Sequence, residues 1–293
     1  MSIFKGAGVA IVTPFNEYGV DFNKLKELLE WHVESKTDAI VVCGTTGEAS
    51  TMTETEKKDT IKFTVDTINK RIPVIAGTSN NNTKASIEMS LWAESIGVDG
   101  LLVITPYYNK TSEKGLFAHF KAINDAVKTP IMLYNVPSRT GMNINPTMLK
   151  KLSELSNIVA IKEASGDISQ IAKMKAICGD AIDIYSGNDD QIIPILSLGG
   201  MGVVSVISNI MPKEVHDMCE LYMNGKTNEA LKLQLDLLEL ITTLFIETNP
   251  IPIKTALNLM GHNVGNLRLP LYEMEESHLS KLKNELIKQN LCK

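Results

Sequence analysis

No run within the 293 residues approaches the ~20 consecutive apolar positions that a membrane span requires. The N-terminal stretch MSIFKGAGVAIVTPF also lacks a charged segment followed by a long apolar one, the pattern of a secretory signal. A cytoplasmic protein with no membrane association is therefore expected. Cysteine is scarce. Cys43, Cys178, Cys219 and Cys292 are far apart and none forms a CxxC pair, so they read as reduced packing thiols. Positive charge is not in excess: 29 Lys and Arg against 34 Asp and Glu leave a net charge of −5, which argues against a nucleic-acid partner. A small molecule is the expected ligand. Low-complexity tracts, linkers and repeats longer than one strand-helix unit are also missing.

What is present is a cycle, in which short apolar runs alternate with amphipathic stretches and Gly or Pro marks each return. Strands are predicted at 8–12, 39–42, 73–76, 100–104, 130–133, 158–161, 183–185 and 203–206. Between them, Phe22, Leu25, Leu29 and His32 share a helical face, as do Leu116, Phe120, Ile123 and Val127. Thr53-Glu54-Thr55-Glu56 is a capping box, the span Asp167 to Gln170 resembles one, and Gly97, Gly179 and Gly225 sit where helices end. Strands alternating with helices pair in parallel, and eight such units predict an α/β fold of the closed (β/α)8 TIM barrel type. A doubly wound open sheet is the rival, but its usual GxGxxG after the first strand does not occur. Beyond the eighth strand, helices are predicted at 213–223, 228–247, 253–260 and 275–290. Leu231, Leu235, Leu238 and Phe245 form a stripe on the second of these that must bury against something. The expected organisation is a barrel catalytic domain over 1–225 and a small C-terminal helical domain over 226–293.

In such barrels chemistry sits at the C-terminal ends of the strands, so the residues after each apolar run are the candidates. They include Gly44-Thr45-Thr46-Gly47-Glu48, Thr105-Pro106-Tyr107-Tyr108-Asn109, the stretch Tyr134 to Gly141 with Arg139, Lys162-Glu163 and Ser186-Gly187-Asn188. Histidine is missing from this rim. All five histidines fall in helical or C-terminal stretches and none pairs at metal-ligand spacing, so no metal is expected. Gly199-Gly200-Met201-Gly202 precedes the eighth strand, which places it on the opposite face as a turn.

Lys162 ends the apolar run Ile158-Val159-Ala160-Ile161. A free lysine amine is almost wholly protonated at neutral pH, and burial raises its nucleophilic neutral fraction by disfavouring charge. Taken alone, a strand-end lysine is more often ion-paired or snorkelling, a tyrosine pair a core feature, and an arginine a surface charge. Joint placement on one rim changes that reading. One lysine, phenols, threonine hydroxyls and an arginine suit covalent amine catalysis on a carboxylate-bearing carbonyl compound. The lysine would form an imine, a phenol would move protons, and backbone N–H groups of the Gly-Thr-Thr-Gly turn would hold a carboxylate.

Four motifs, GTTGE at 44–48, TPYYN at 105–109, YNVPSRTG at 134–141 and IKEASGD at 161–167, resemble the dihydrodipicolinate synthase family, over essentially the whole chain. These are class I aldolase-like barrels related to N-acetylneuraminate lyase. The resemblance implies that Lys162 forms a Schiff base with pyruvate, with no cofactor besides that covalent imine. It implies that Tyr134 transfers protons and is linked through Thr46 to Tyr108. Because the family's second tyrosine reaches in from a neighbouring subunit, it also implies a homodimer at least, and relatives commonly pair dimers into tetramers. Thr45 and Thr46 would hold the carboxylate of pyruvate, Gly187 and Val206 would line the pocket, and Arg139 would receive the carboxylate of L-aspartate 4-semialdehyde. The product would be 4-hydroxy-tetrahydrodipicolinate, in the opening step of lysine and diaminopimelate biosynthesis.

At the family's lysine feedback site Asn81 and Tyr107 match, whereas Glu54, Lys57 and Ala85 stand where inhibited relatives carry two histidines and a glutamate. Weak or absent inhibition by lysine is expected, since the cationic ligand loses its acidic partner and meets a lysine. Another pyruvate-dependent lyase, cleaving N-acetylneuraminate or a 2-keto-3-deoxy sugar acid, is the alternative function. Arg139 argues against it, because a polyol needs hydroxyl-binding groups instead. A non-catalytic barrel would be expected to have lost Lys162 or Tyr134. The role of Glu163 is open, although strand alternation points it outward.

Overall fold

A computed structural model describes residues 2–293. The strands are β1 (Gly6–Ala10), β2 (Phe15–Asn16), β3 (Gly19–Val20), β4 (Ala39–Val42), β5 (Val74–Gly77), β6 (Gly100–Ile104), β7 (Ile131–Asn135), β8 (Ile158–Glu163), β9 (Asp183–Ser186) and β10 (Gly202–Ser205). Eight of them close a parallel barrel in the order β1-β10-β9-β8-β7-β6-β5-β4, while β2 and β3 form a small antiparallel hairpin that the sequence did not signal. The barrel is the predicted (β/α)8 architecture. Period-two alternation along its strands builds two apolar layers. Val41, Leu102, Met132 and Ala160 fill the interior, whereas Ile40, Val103, Leu133 and Ile161 face the helices and meet Leu25, Leu29, Phe120 and Ile123.

Closure of the ring depends on one glycine. Gly202 opens β10 with φ +146°, and a Cβ there would lie 1.9 Å from the carbonyl oxygen of Gly6 on β1, so no side chain is tolerated at this first rung between the first and last strands. Below, Phe4 stacks on Tyr185 with ring centroids 4.5 Å apart, and the Tyr185 hydroxyl donates to the Phe4 carbonyl. The capping box at Thr53 forms in full, with the Glu56 N–H donating to Thr53 Oγ1 and the Thr53 N–H donating back to the Glu56 carboxylate. Asp167 caps its helix only from one side: it accepts from the Gln170 N–H, while the Gln170 side chain turns to Asn143.

Several expectations are corrected. β1 lies two residues before its predicted span, at Gly6–Ala10. β7 and β8 each run two residues past their predicted ends, because Tyr134 and Asn135 keep ladder pairing with Lys162 and Glu163 despite their polarity. The stretch 228–247 forms two helices, Thr227–Asp236 and Leu238–Thr243, that do not bury the predicted leucine stripe within the chain. Leu231, Leu235 and Phe245 are 42%, 58% and 43% exposed. The first helix instead turns Ala230 and Gln234 inward, and Gln234 bonds the backbone of Asp189 and Ile193. Backbone satisfaction outweighs apolar burial there.

At the N-terminal side of the barrel, His216 on helix Pro212–Met223 bonds Asp38, whose carboxylate also accepts from the Ala7 N–H at 2.7 Å. His216, Asp217 and Glu220 are the one group of possible metal ligands among the described residues, and Asp217 already pairs with Lys213. Asp38, with Glu220 and Asp217 adding to it, holds the imidazole above its ordinary value. A pKa raised on folding gives stability that is complete below the unfolded value of about 6.5 and is lost as pH rises through the folded one. Urea unfolding measured from pH 6 upward should therefore show this contribution disappearing, and His216→Gln should flatten that part of the profile. An unchanged profile in the variant would refute the assignment.

Among the described residues no helix is long and apolar enough to cross a membrane.

Candidate active site

The reactive pair predicted from the sequence is set by the β7–β8 ladder. Tyr134 and Lys162 are direct register partners, and both point into the barrel mouth. Lys162 is 5% exposed and Tyr134 6%, with Lys162 Nζ 4.4 Å from the centroid of the phenol ring. Gly187, just past β9, lets the chain cross the lysine stem. A Cβ at this position would fall 3.2 Å from Lys162 Cε and 2.7 Å from the Ala164 methyl. Its N–H donates to the carbonyl of Glu163, which ties the end of β8 to the next loop.

Thr45 and Thr46 lie in a tight turn after β4. Cys43 and Glu48, at its two ends, both adopt left-handed backbone conformations (φ +54°), and Thr13 Oγ1 donates to the Gly47 carbonyl at 2.7 Å. Thr46 is buried, and its hydroxyl oxygen accepts from the Asn249 side-chain amide at 2.9 Å. The carbonyl of the same Asn249 accepts from Arg139 Nη2 at 3.0 Å. One residue from the post-barrel segment thus links Thr46 to the arginine on the short helix Pro137–Thr140.

A buried ion pair holds the far end of the turn. Lys254 donates to Glu48 at 2.7 Å and to the Asn266 carbonyl, and the second oxygen of Glu48 accepts from the Arg268 N–H. Burial lowers the pKa of Lys254, and the Glu48 charge opposes it. The Phe15 ring lies against both cations, 4.4 Å from Lys254 Nζ and 3.9 Å from the Arg268 guanidinium carbon. Sequence reasoning missed Asn249, Lys254 and Arg268. All three come after the last strand, where no apolar run marks an approach to the rim.

Val206 is buried at the start of the turn after β10. Its N–H and that of Ile207 both donate to Asp189 Oδ2 at 2.9 Å. Burial pushes the Asp189 carboxyl upward, opposed by these N–H groups, by Ser205 and by the charge on Lys162. Thr45, Tyr134, Arg139 and Thr140 line one cavity of about 730 Å³, and Thr105 Oγ1 donates to Thr140 Oγ1 at 3.0 Å. The same cavity continues past Asn81, Tyr107, Glu54, Lys57 and Ala85. Tyr108 is not brought to Thr46. It is 93% exposed, with φ +69°.

A buried amine against a phenol, with Thr45 and the Arg139 cation lining the cavity that Tyr134 also lines, suits imine formation followed by proton transfer at carbon. Residues 3–289 match the model of the dihydrodipicolinate synthetase family. The chain is 70% identical over 290 residues to 4-hydroxy-tetrahydrodipicolinate synthase of Clostridium novyi, an alignment covering 99% of this chain and 98% of that one. It is 69% identical over 294 residues to the enzyme of the same name from Clostridium tetani, covering both chains in full. The crystal structure of dihydrodipicolinate synthase from Aquifex aeolicus superposes with a TM-score of 0.96 at 42% identity, covering 98% of this chain and 99% of that one.

Proposed function

The chain belongs to the dihydrodipicolinate synthetase family, and from that membership and the barrel-mouth geometry we infer that it is a 4-hydroxy-tetrahydrodipicolinate synthase. It condenses pyruvate with L-aspartate 4-semialdehyde in lysine and diaminopimelate biosynthesis. The observation that carries the residue assignment is the Lys162–Tyr134 pair, buried together at the end of adjacent strands. Lys162 Nζ adds to C2 of pyruvate and water leaves, giving an iminium. As its own hydroxyl proton passes into the Thr46 relay, Tyr134 takes a proton from C3, the resulting enamine attacks the aldehyde carbon, and Tyr134 returns a proton to the new alkoxide. Attack of the substrate's own amine on C2 then closes the ring and frees Lys162.

Thr45 and Thr46 hold the pyruvate carboxylate, Gly187 and Val206 wall the pocket, and Arg139 binds the carboxylate of the semialdehyde. Asn249 keeps Thr46 and Arg139 in relative position, so that the two substrate ends stay in register. Turnover should therefore be seen with aspartate semialdehyde and not with N-acetylneuraminate; the reverse preference would establish the sugar-acid lyase instead. Arg139→Ala should lower kcat/KM for the semialdehyde about 10–100-fold, the loss expected for one hydrogen bond to a charged group, with the KM for pyruvate little changed. An equal rise in both KM values would contradict the assignment.

A homodimer, and dimers paired into a tetramer, complete this reading. Tyr108 supports it: a non-glycine residue in the left-handed region costs about 1–2 kcal/mol, a strain suited to reaching a partner's Thr46. The exposed Leu231 and Leu235 offer an apolar surface to a further copy. Lysine should inhibit weakly or not at all, since Lys57 lines the cavity and Glu54 is already paired with Lys58 at 2.5 Å. Strong inhibition by micromolar lysine in a steady-state assay would contradict this.

A further inference from the structure

Lys162 faces the barrel interior only because of its register, and a slip of one residue would turn it to the helix layer and bring Glu163 inside. The ladder that sets this register is irregular. Ile131 pairs with Ile158 but Met132 pairs with Ala160, so Val159 is an extra residue near the start of β8. Whatever restores the register must act above that point. One rung past the reactive pair, on the outer face, Asn135 and Glu163 are themselves register partners, and Asn135 Nδ2 donates to Glu163 Oε2 at 2.9 Å. Both residues are fully buried.

Each end of this bond is anchored. Asn135 Oδ1 accepts from the Ile144 N–H at 2.9 Å, and Glu163 Oε1 accepts from the Ser165 N–H at 2.7 Å. Asn135 Nδ2 also reaches Asn143 Oδ1 at 2.9 Å, which in turn is bonded by Gln170. Backbone bonds continue the lock, from the Ala164 N–H to the Asn135 carbonyl and from the Gly187 N–H to the Glu163 carbonyl, both 2.8 Å. An unpaired buried carboxyl is costly, so a slip that broke these bonds would be penalised twice, once for the charge and once for the amide. Burial raises the Glu163 pKa and the bonds from Ser165 and Asn135 oppose that rise, in keeping with a group held by its neighbours rather than by solvent.

We propose that Asn135 and Glu163 are positioning residues for catalysis: their side-chain bond on the outside of the barrel fixes the register that sets Lys162 against Tyr134 on the inside. This rests on the proposed roles of Lys162 and Tyr134. Neither Asn135 nor Glu163 touches a reacting atom. Their effect is the alignment of nucleophile and proton carrier, where a displacement of about 1 Å costs on the order of 10²-fold in rate.

The test counts active sites before measuring rate. Wild type, Asn135→Ala, Glu163→Gln and the double variant Asn135→Asp/Glu163→Gln, which reverses the polarity of the bond, are each titrated by borohydride reduction with pyruvate. The kcat per trapped site and the exchange of pyruvate C3 protons for deuterium are then compared. Both single variants should lose about 10–100-fold in kcat per trapped site and in exchange rate, with the KM for pyruvate within about twofold because the Thr45–Thr46 turn is on another strand. The double variant should recover most of the loss. Glu163→Gln conserves volume and decides the question should Asn135→Ala fail to fold. Wild-type turnover per trapped site in the single variants, even with a lowered melting temperature, would reduce the pair to a structural role and overturn the proposal, as would a double variant that restores nothing. Failure of pyruvate to trap on the wild-type chain is a separate result, and it would overturn the role of Lys162 instead.

Discussion

Tyr134→Phe should lower kcat about 10²–10⁴-fold, the range for loss of a general acid–base group, while the final yield of pyruvate trapped on Lys162 stays that of the wild type. The expectation follows from what the substitution leaves in place. The Tyr134 ring is buried, and Lys162 Nζ lies 4.4 Å from its centroid, a contact that needs the ring and not the hydroxyl. Phenylalanine keeps the volume and the cation–ring contact, so the amine should stay where it is and still condense with pyruvate given time. Only the steps that move a proton at C3 and at the new hydroxyl lose their carrier. Deuterium exchange at pyruvate C3, measured without semialdehyde, should fall with kcat. Turnover within about threefold of wild type would remove Tyr134 from the proton path.

The second large effect is on stability. Lys254→Met removes one partner of an ion pair whose side chains are 1% and 0% exposed, and breaking such a pair from one side costs about 3–5 kcal/mol because the remaining charge is buried without its counter-ion. For a chain of this size that corresponds to a melting temperature lower by roughly 10 °C. Glu48 closes the Gly44–Glu48 turn, so its displacement should also move Thr45 and Thr46 and raise the KM for pyruvate. Adding Glu48→Gln to Lys254→Met eliminates the stranded charge and should recover part of the loss, which a double-mutant cycle in urea measures directly. A single variant melting within about 2 °C of wild type would show that the pair contributes little.

The barrel was legible because its signal is redundant: eight apolar runs, each followed by an amphipathic helix, leave few topologies open. Lys162, Tyr134 and Arg139 were legible for the same reason, since strand ends define the rim. The sequence could not show where β8 stops. Polar residues read as an ending, yet Lys162 and Glu163 continue the ladder, one with its amine against Tyr134 and the other bonded to Asn135. Asn249 and Lys254 were invisible because their importance lies in contacts more than 200 positions away, 203 to Thr46 and 206 to Glu48. The leucine stripe misled for a different reason. Apolar periodicity predicts a buried face only when something is there to bury it, and within this chain Gln234 claims the inward position by satisfying backbone groups. Tyr108 is the converse case: its motif marks it for the rim, yet it is exposed and in the left-handed backbone region, away from the buried Thr46.

The central claim is that Lys162 is the nucleophile, and reduction with borohydride in the presence of pyruvate followed by peptide mass analysis tests it most directly. The expected result is one reduced pyruvate adduct per chain, on the peptide containing Lys162, with turnover lost in proportion to adduct formed and no adduct on Lys162→Ala. An unmodified Lys162 in a chain that still condenses pyruvate with aspartate semialdehyde would contradict the mechanism.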